Sequence, residues 1–466
     1  MNDFVIRGCT VVDPKNNVNK LTSVAIKDGK ISEVGDNAKG RRFANFDGAV
    51  LMPGIIDTHV HCSNWIGGPA SFKMLARAGV TTALDLSGPA DVVLDQIAEH
   101  GSGINILITE AVYPGVNVKD SNPSYEELNR LLETAISEGA IGFKLLGGHY
   151  PLTPEACSAA IKTAADRRCY MAIHAGSVKN GSNMKGALDA IDFAEGRPFH
   201  LAHVNSYCRG AVLGRPKEEL QTLLKALNEH REVISEFYTA RFNGTGGKCA
   251  GGLPESHVTR NCLRAGGFPE TEAGLKQAFE ASFAHCVREN MDGLNEYITG
   301  RAALEYWKEM DQNVTCAFPV NDREVAFLCG TSKNEAGEYI IDAVATDGGG
   351  IPRNFLLENG LLLVDWGAWS MDDFVRKTSF IPSRMLGLTE KGHLTPGADG
   401  DITVFDPVTR RALLTVVGGK VVWGGNALLG GGGTLICLKE GRGAAERRGL
   451  PFKTVDLEES MLYKGR

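Results

Sequence analysis

The sequence predicts an α/β protein: a (β/α)8 barrel of TIM type carrying a small β-sandwich domain built from both chain ends. Three observations carry that expectation. Short apolar runs alternate with helix-period stretches through the middle of the 466-residue chain. Both ends instead have the texture of strands and hairpins. Metal-ligating side chains follow several of the apolar runs, on the side where barrel enzymes place their chemistry.

Taken in order, "FVIRGCTVVD" and "SVAIKDGKISEVGD" read as strands, the "KDGK" turn marking a hairpin. "DITVFDPVTRRALLTVVGGKVVWGG" repeats the pattern from residue 401, so residues 1–52 and 392–430 are expected to pair into one domain. The barrel, residues 53–391, draws its strands from "GIIDTHVH", "TTALDLS", "NILITEAVY", "AIGFKLL", "CYMAIHA", "FHLAHV", "VISEFY" and "AVATD". These runs are short and apolar throughout, as parallel strands buried on both faces are. Between them lie helices such as "TPEACSAAIKTAADRR", opened by a Thr-Pro-Glu start. A doubly wound open sheet is the rival, but no Gly-rich phosphate fingerprint follows the first strand. Residues 242–341, about a hundred, are too many for a plain connection and imply an inserted, partly helical subdomain acting as a lid or specificity element. Its clearest expected helix is "ETEAGLKQAFEASFAHCVREN". Residues 431–466 form a tail with no assignable role.

Composition narrows the function classes. The net charge is −7, with no block of Lys or Arg, which argues against nucleic acid or an acidic membrane surface as partner. Eleven cysteines lack any CxxC pair, the pattern of reduced thiols. "MNDFVIRGCTVVD" reads as a strand rather than a signal peptide, and no apolar run approaches the ~20 residues of a spanning helix. A cytoplasmic protein, expected to be a homo-oligomer, fits these features.

The polar residues at the strand ends carry the chemistry. His59 and His61 are one residue apart on the first strand, so both face one side. Lys144 ends the fourth strand, His174 the fifth, His203 the sixth and Asp347 the eighth. Imidazole and carboxylate ligands suit Zn²⁺, Mn²⁺ or Fe²⁺. Four His and an Asp exceed the roughly three protein ligands of one catalytic zinc and fit two metals. Lys144 can join such a set only when neutral or converted by CO₂ to a carbamate.

In this order the residues resemble the amidohydrolase superfamily. The likeness runs over about residues 1–430, including "LMPGIIDTHVH" and "GHLTPGADGDITVFDP". The resemblance implies that His59, His61 and Asp347 hold one divalent metal and His174 and His203 the other. It also implies that Lys144, as N6-carboxylysine, bridges them. The interval from His174 to His203 resembles N-acyl-D-amino-acid deacylases and isoaspartyl dipeptidases, and the long insertion resembles the deacylases. Lys144, with no Cys in "ALDLSG", is closer to hydantoinases, dihydroorotases and isoaspartyl dipeptidases. Ser206 stands where isoaspartyl dipeptidases carry a guanidinium.

The resulting expectation is a hydrolase of an amide C–N bond in a small molecule, leaning to a linear N-acyl amino acid or dipeptide-like amide. Hydrolysis of a cyclic amide is the alternative, and a non-catalytic barrel scaffold is the reading from another class. Asp347 is expected to move the proton to the leaving nitrogen. His149 and Tyr150 are candidate oxyanion donors. Asn205, Tyr238, Arg241 and Arg353 are candidate substrate contacts, either Arg being able to hold a carboxylate.

Overall fold

The computed structural model describes residues 1–64, 67–425 and 427–466. Its centre is a run of parallel strands: β1 (Ile55–His61), β2 (Val80–Asp85), β3 (Asn105–Ile108, continued by Glu110–Ala111) and β4 (Gly142–Leu146). Then come β5 (Tyr170–His174), β6 (Phe199–Leu201), β7 (Val233–Tyr238) and β8 (Ala343–Ala345, continued by Gly348–Gly349). Each pairs in parallel with its sequence neighbour. The last segment of β8 pairs with β1, Gly349 opposite His61. Ile56, Leu84, Leu107, Ile141, Tyr170 and Ile234 form one apolar cluster among the strands. A larger cluster, including Phe143, Ile173 and Leu201, packs the strands against the helices.

The helix signals act as the chemistry requires. Thr153 caps the helix Pro154–Asp166, its hydroxyl accepting from Ala156 N, with Pro at the first helical position where no amide hydrogen is needed. Two expected elements are shorter in the structure. β6 stops at Leu201 because His203 takes a positive φ of 38°. The long helix expected over "ETEAGLKQAFEASFAHCVREN" ends at Glu280, where Ser282 turns left-handed, and His285–Glu289 continues as a strand.

The chain ends do pair. Ile402–Asp406 runs antiparallel to Val50–Pro53, joining both ends in one nine-stranded sheet with its own apolar cluster. Within residues 242–341, a four-stranded sheet and the helices His257–Ala265, Glu272–Glu280 and Gly300–Glu309 enclose Leu263, Phe279, Trp307 and Phe318. This unit reaches the C-terminal side of the parallel strands through Asn295, which donates to the Gly350 carbonyl at 2.6 Å.

The tail has a structural role that its sequence did not disclose. Leu435–Cys437 adds in parallel to β3, and Phe452–Thr454 adds to it in turn. Ile436, Val455, Leu457, Met461 and Leu462 join the apolar cluster of Ile56 and Leu107. Arg466 ties the tail to Asp342 just before β8, through Nε and Nη2 at 2.7 Å each. Among the described residues, no helix is long and apolar enough to cross a membrane.

Candidate metal centre

The strand pattern delivers the ligand-type side chains to one end of the sheet. His59 Nε2 and His61 Nε2 lie 3.3 and 3.0 Å from Asp347 Oδ1. The ligand atoms of these three residues all fall within 4.8 Å of one another. Asp347 is itself left-handed, φ 50°, and lies between the two segments of β8. Asp57 fixes that turn: Oδ1 accepts from His59 N and Thr346 N, and Oδ2 from the Thr346 hydroxyl at 2.6 Å. Strained backbone held this firmly is a feature of functional sites.

His174 and His203 form a second pair. His203 Nε2 stands 3.1 Å from His174 Nδ1, with the outer nitrogens paired to Ser206 Oγ at 2.7 Å and Ser182 Oγ at 2.8 Å. Gly148 is required here, because a Cβ would sit 2.2 Å from His174 Nε2. Burial pushes His203 down to about 3, and burial with the His203 charge drives His174 well below the ordinary imidazole range. Burial and Lys144 do the same to His59. These imidazoles are therefore neutral above mildly acidic pH, the form that donates a lone pair to a metal.

Lys144 is fully buried and its Nζ has no hydrogen-bond partner. Burial lowers its pKa, against the attraction of Glu236 and Asp347. A buried, unpartnered amine among depressed imidazoles is poor packing chemistry, because it leaves a polar group unsatisfied at a cost of a few kcal/mol. The donor set as a whole fits divalent metal: two imidazole pairs, one carboxylate and one orphaned amine.

Glu236 was not legible as a site residue, yet it ties the two halves together. Its Oε1 pairs with His59 Nδ1 at 2.8 Å and accepts from His203 N at 2.8 Å. The first contact holds His59 with its proton on Nδ1 and its Nε2 lone pair facing His61 and Asp347. The second secures the left-handed turn at His203. A carboxylate in the middle of the buried run "VISEFY" was the available signal, since burying one without a partner is costly. Glu236→Gln is expected to fold and to weaken divalent metal binding by about 10- to 100-fold. Zinc titration against a competing chelator measures this, and unchanged affinity would remove Glu236 from the design.

The remaining candidates lie further out. His149 stacks edge-on with His174, ring centroids 5.7 Å apart, and burial takes it down to about 4. Tyr150 is 44% exposed at the rim, edge-on to Tyr113. Asn205 accepts from Tyr238 N at 3.0 Å, while its buried Nδ2 has no partner. Tyr238 is buried beneath Arg353, whose guanidinium carbon is 5.0 Å from the ring centroid. Arg353 is already engaged: Nη2 holds Asp347 Oδ2 at 2.6 Å, and Nη1 donates to the Phe242 carbonyl at 2.6 Å. Arg241 is exposed, and its carbonyl accepts from Asn321 N. Cys62 is wholly buried, and burial with Asp85 pushes its thiol well up, so it is inert.

Comparison with known proteins agrees with this geometry. The chain is 29% identical over 242 residues to an allantoinase of Solibacter usitatus, covering 46% of this chain and 50% of that one. It thus spans about half the length of that relative. It is 22% identical over 460 residues to a D-aminoacylase of Alcaligenes xylosoxydans xylosoxydans, covering 87% and 88%. Among solved structures, an N-acyl-D-glutamate deacylase of Bordetella bronchiseptica, complexed with zinc and a phosphonate mimic of the tetrahedral intermediate, superposes with a TM-score of 0.68. That match has 16% identity over 93% of this chain and 98% of that one. A D-hydantoinase gives a TM-score of 0.60 at 16% identity, over 92% and 96%. The model of the amidohydrolase family matches residues 50–239 and 252–422, well over half of the sequence and all six ligand-type positions, and the chain belongs to that family.

Proposed function

We propose that the protein is a hydrolase of an amide C–N bond in a small molecule, working with two divalent ions. The observation that carries this is the convergence of His59, His61 and Asp347 with His174 and His203 around the unpartnered amine of Lys144. His59, His61 and Asp347 would hold one ion and His174 and His203 the other, with Lys144 as a carbamate bridge; zinc is the first choice, manganese or iron the others. Bound there, the ions supply Lewis-acid polarisation of the carbonyl and a water acidic enough to attack at neutral pH.

The chain's own residues do the rest. Burial alone would push the Asp347 carboxyl up, but the Arg353 guanidinium and the His59 and His61 imidazoles hold it well below the usual range. An anionic Asp347 can take the proton of the attacking water and release it to the leaving nitrogen. His149 and Tyr150, on the loop after β4, would donate to the oxyanion. The parallel strands are read as a closed barrel, supported by the divided strands. β3 pairs with β2 by its first segment and β4 by its second, and β8 spans β7 and β1 likewise.

The substrate favoured is a linear N-acyl amino acid, in keeping with the deacylase-like overall superposition. Hydrolysis of a cyclic amide is the second reading, favoured by the allantoinase relatives and by Lys144 itself. Metal-loaded protein assayed on paired linear and cyclic amides decides between them. About two metal equivalents per chain are expected, with activity abolished by chelation and restored by the ion. One equivalent or fewer in a well-folded protein would sink the two-ion scheme, and none, without turnover, would favour a scaffold.

A further inference from the structure

We infer that His200, held by Tyr170, is a positioning residue of the metal centre: its Nε2–H braces Glu236 and, through Glu236, the orientation of His59. This rests on the two-ion reading above and extends the site one layer deeper among the strands than the ligands themselves. Parallel pairing sets His200 beside Ala172 on β5 and Ile234 on β7, so it shares their face. Alternation along those strands adds Tyr170 and His174 to that face from β5, and Glu236 from β7. Lys144 is level with Ala172 in turn, and that small side chain leaves the layer open for an imidazole.

Tyr170, His200 and Glu236 are all fully buried. The Tyr170 hydroxyl lies 3.1 Å from His200 Nδ1. Burial, with the Glu236 charge next, drives that phenol well up, so it keeps its proton and His200 Nδ1 is there to accept it. The ring proton of neutral His200 is therefore on Nε2. Among the described residues Nε2 has no hydrogen-bond partner, and neither has Glu236 Oε2. His200 Nε2 stands 3.9 Å from Glu236 Oε1, about 1 Å beyond hydrogen-bond length. Burying a donor and a carboxylate oxygen unsatisfied is costly, and one small side-chain rotation pairs them.

The link to the metal centre is already in place. Glu236 Oε1 is shared between His59 Nδ1 and His203 N. A donor on the far side of the carboxylate stops it from turning away from His59, which would leave that imidazole free to swing. Packing alone does not ask for an imidazole at this position. Tyr170, Ala172 and Ile234 around it belong to the apolar cluster among the strands, where an aliphatic side chain would leave nothing unsatisfied.

The test is a zinc titration of the whole chain against a competing chelator. His200→Leu is expected to raise one of the two zinc dissociation constants roughly 10-fold, the low end for outer partners of metal ligands. His200→Gln, whose terminal amide presents an N–H near the place of Nε2, should stay within about threefold of wild type. A role in packing alone predicts the reverse, because leucine suits an apolar layer better than an amide does. Unchanged zinc constants in His200→Leu, or equal weakening in both variants, overturns the proposal. Nitrogen-15 NMR of histidine-labelled, metal-free wild type reads the tautomer directly, the His200 signal being the one that Tyr170→Phe shifts. A proton on Nε2 supports the proposal and one on Nδ1 overturns it, even where the His200 variants fold poorly. Wild type that binds no zinc would refute the two-ion reading separately, and the tautomer then decides the contact of His200 with Glu236.

Discussion

Lys144→Ala is expected to fold, to lose metal and to lose activity together. The side chain is fully buried and makes no hydrogen bond through Nζ, so removing it breaks no partner and exposes no charge. What it removes, on the proposed two-ion scheme, is the group that would join the two imidazole sets. An ammonium would repel both ions and a neutral amine cannot bridge them, whereas a carbamate places two oxygens and a negative charge between them. The loss in turnover should therefore exceed the ~100-fold typical of losing an outer-shell partner of a metal ligand. Acetate or propionate, small enough to enter the vacated space, should restore part of both metal content and rate. Lys144→Arg should not, because its charge is permanent. Metal analysis with and without propionate checks this. Two ions and near-normal turnover in Lys144→Ala without added carboxylate would force the site to be redrawn around another bridge.

The same residue shows what a sequence discloses and what it hides. Lys144, His59, His61, His174, His203 and Asp347 were legible because each ends an otherwise apolar run, and burial up to that point makes a polar residue conspicuous. Parallel strands impose the rest, since they deliver every such end to one side. Contacts between distant segments left no such trace. Nothing in "VISEFY" tells that Glu236 will meet His59, and nothing in "GIPRN" tells that Arg353 will be spent on Asp347 rather than offered to substrate. Ser206 was notable in the sequence only for lacking a guanidinium, yet it orients His203. The tail was opaque for the same reason. Three residues, Leu435–Cys437, form a strand only because β3 offers a free edge there, and no local pattern announces that. The helix that stopped early near Ser282 failed through a local detail, a left-handed residue that helix-period counting does not weigh.

Asp347→Asn should have the largest effect on turnover and a distinct effect on stability, and the two can be separated. Asparagine cannot accept and return a proton, and general acid–base groups contribute roughly 10²- to 10⁴-fold to rate, so kcat at saturating metal should fall by that factor. The stability effect comes from Arg353. Its guanidinium is buried and ion-paired to Asp347 at 2.6 Å, so neutralising the acid strands a buried cation, at a cost of about 3–5 kcal/mol. A lower Tm of the metal-free variant reports that loss. Adding Arg353→Met removes the stranded charge that lies over Tyr238 while keeping an unbranched apolar side chain in its place, so the double variant should recover much of the Tm and none of the rate. Recovery of rate along with Tm would mean that the single substitution acted through misfolding, and Asp347 would lose its place as the proton carrier. A double variant as unstable as Asp347→Asn alone would show instead that Arg353 is held by the Phe242 carbonyl and its packing, not by charge.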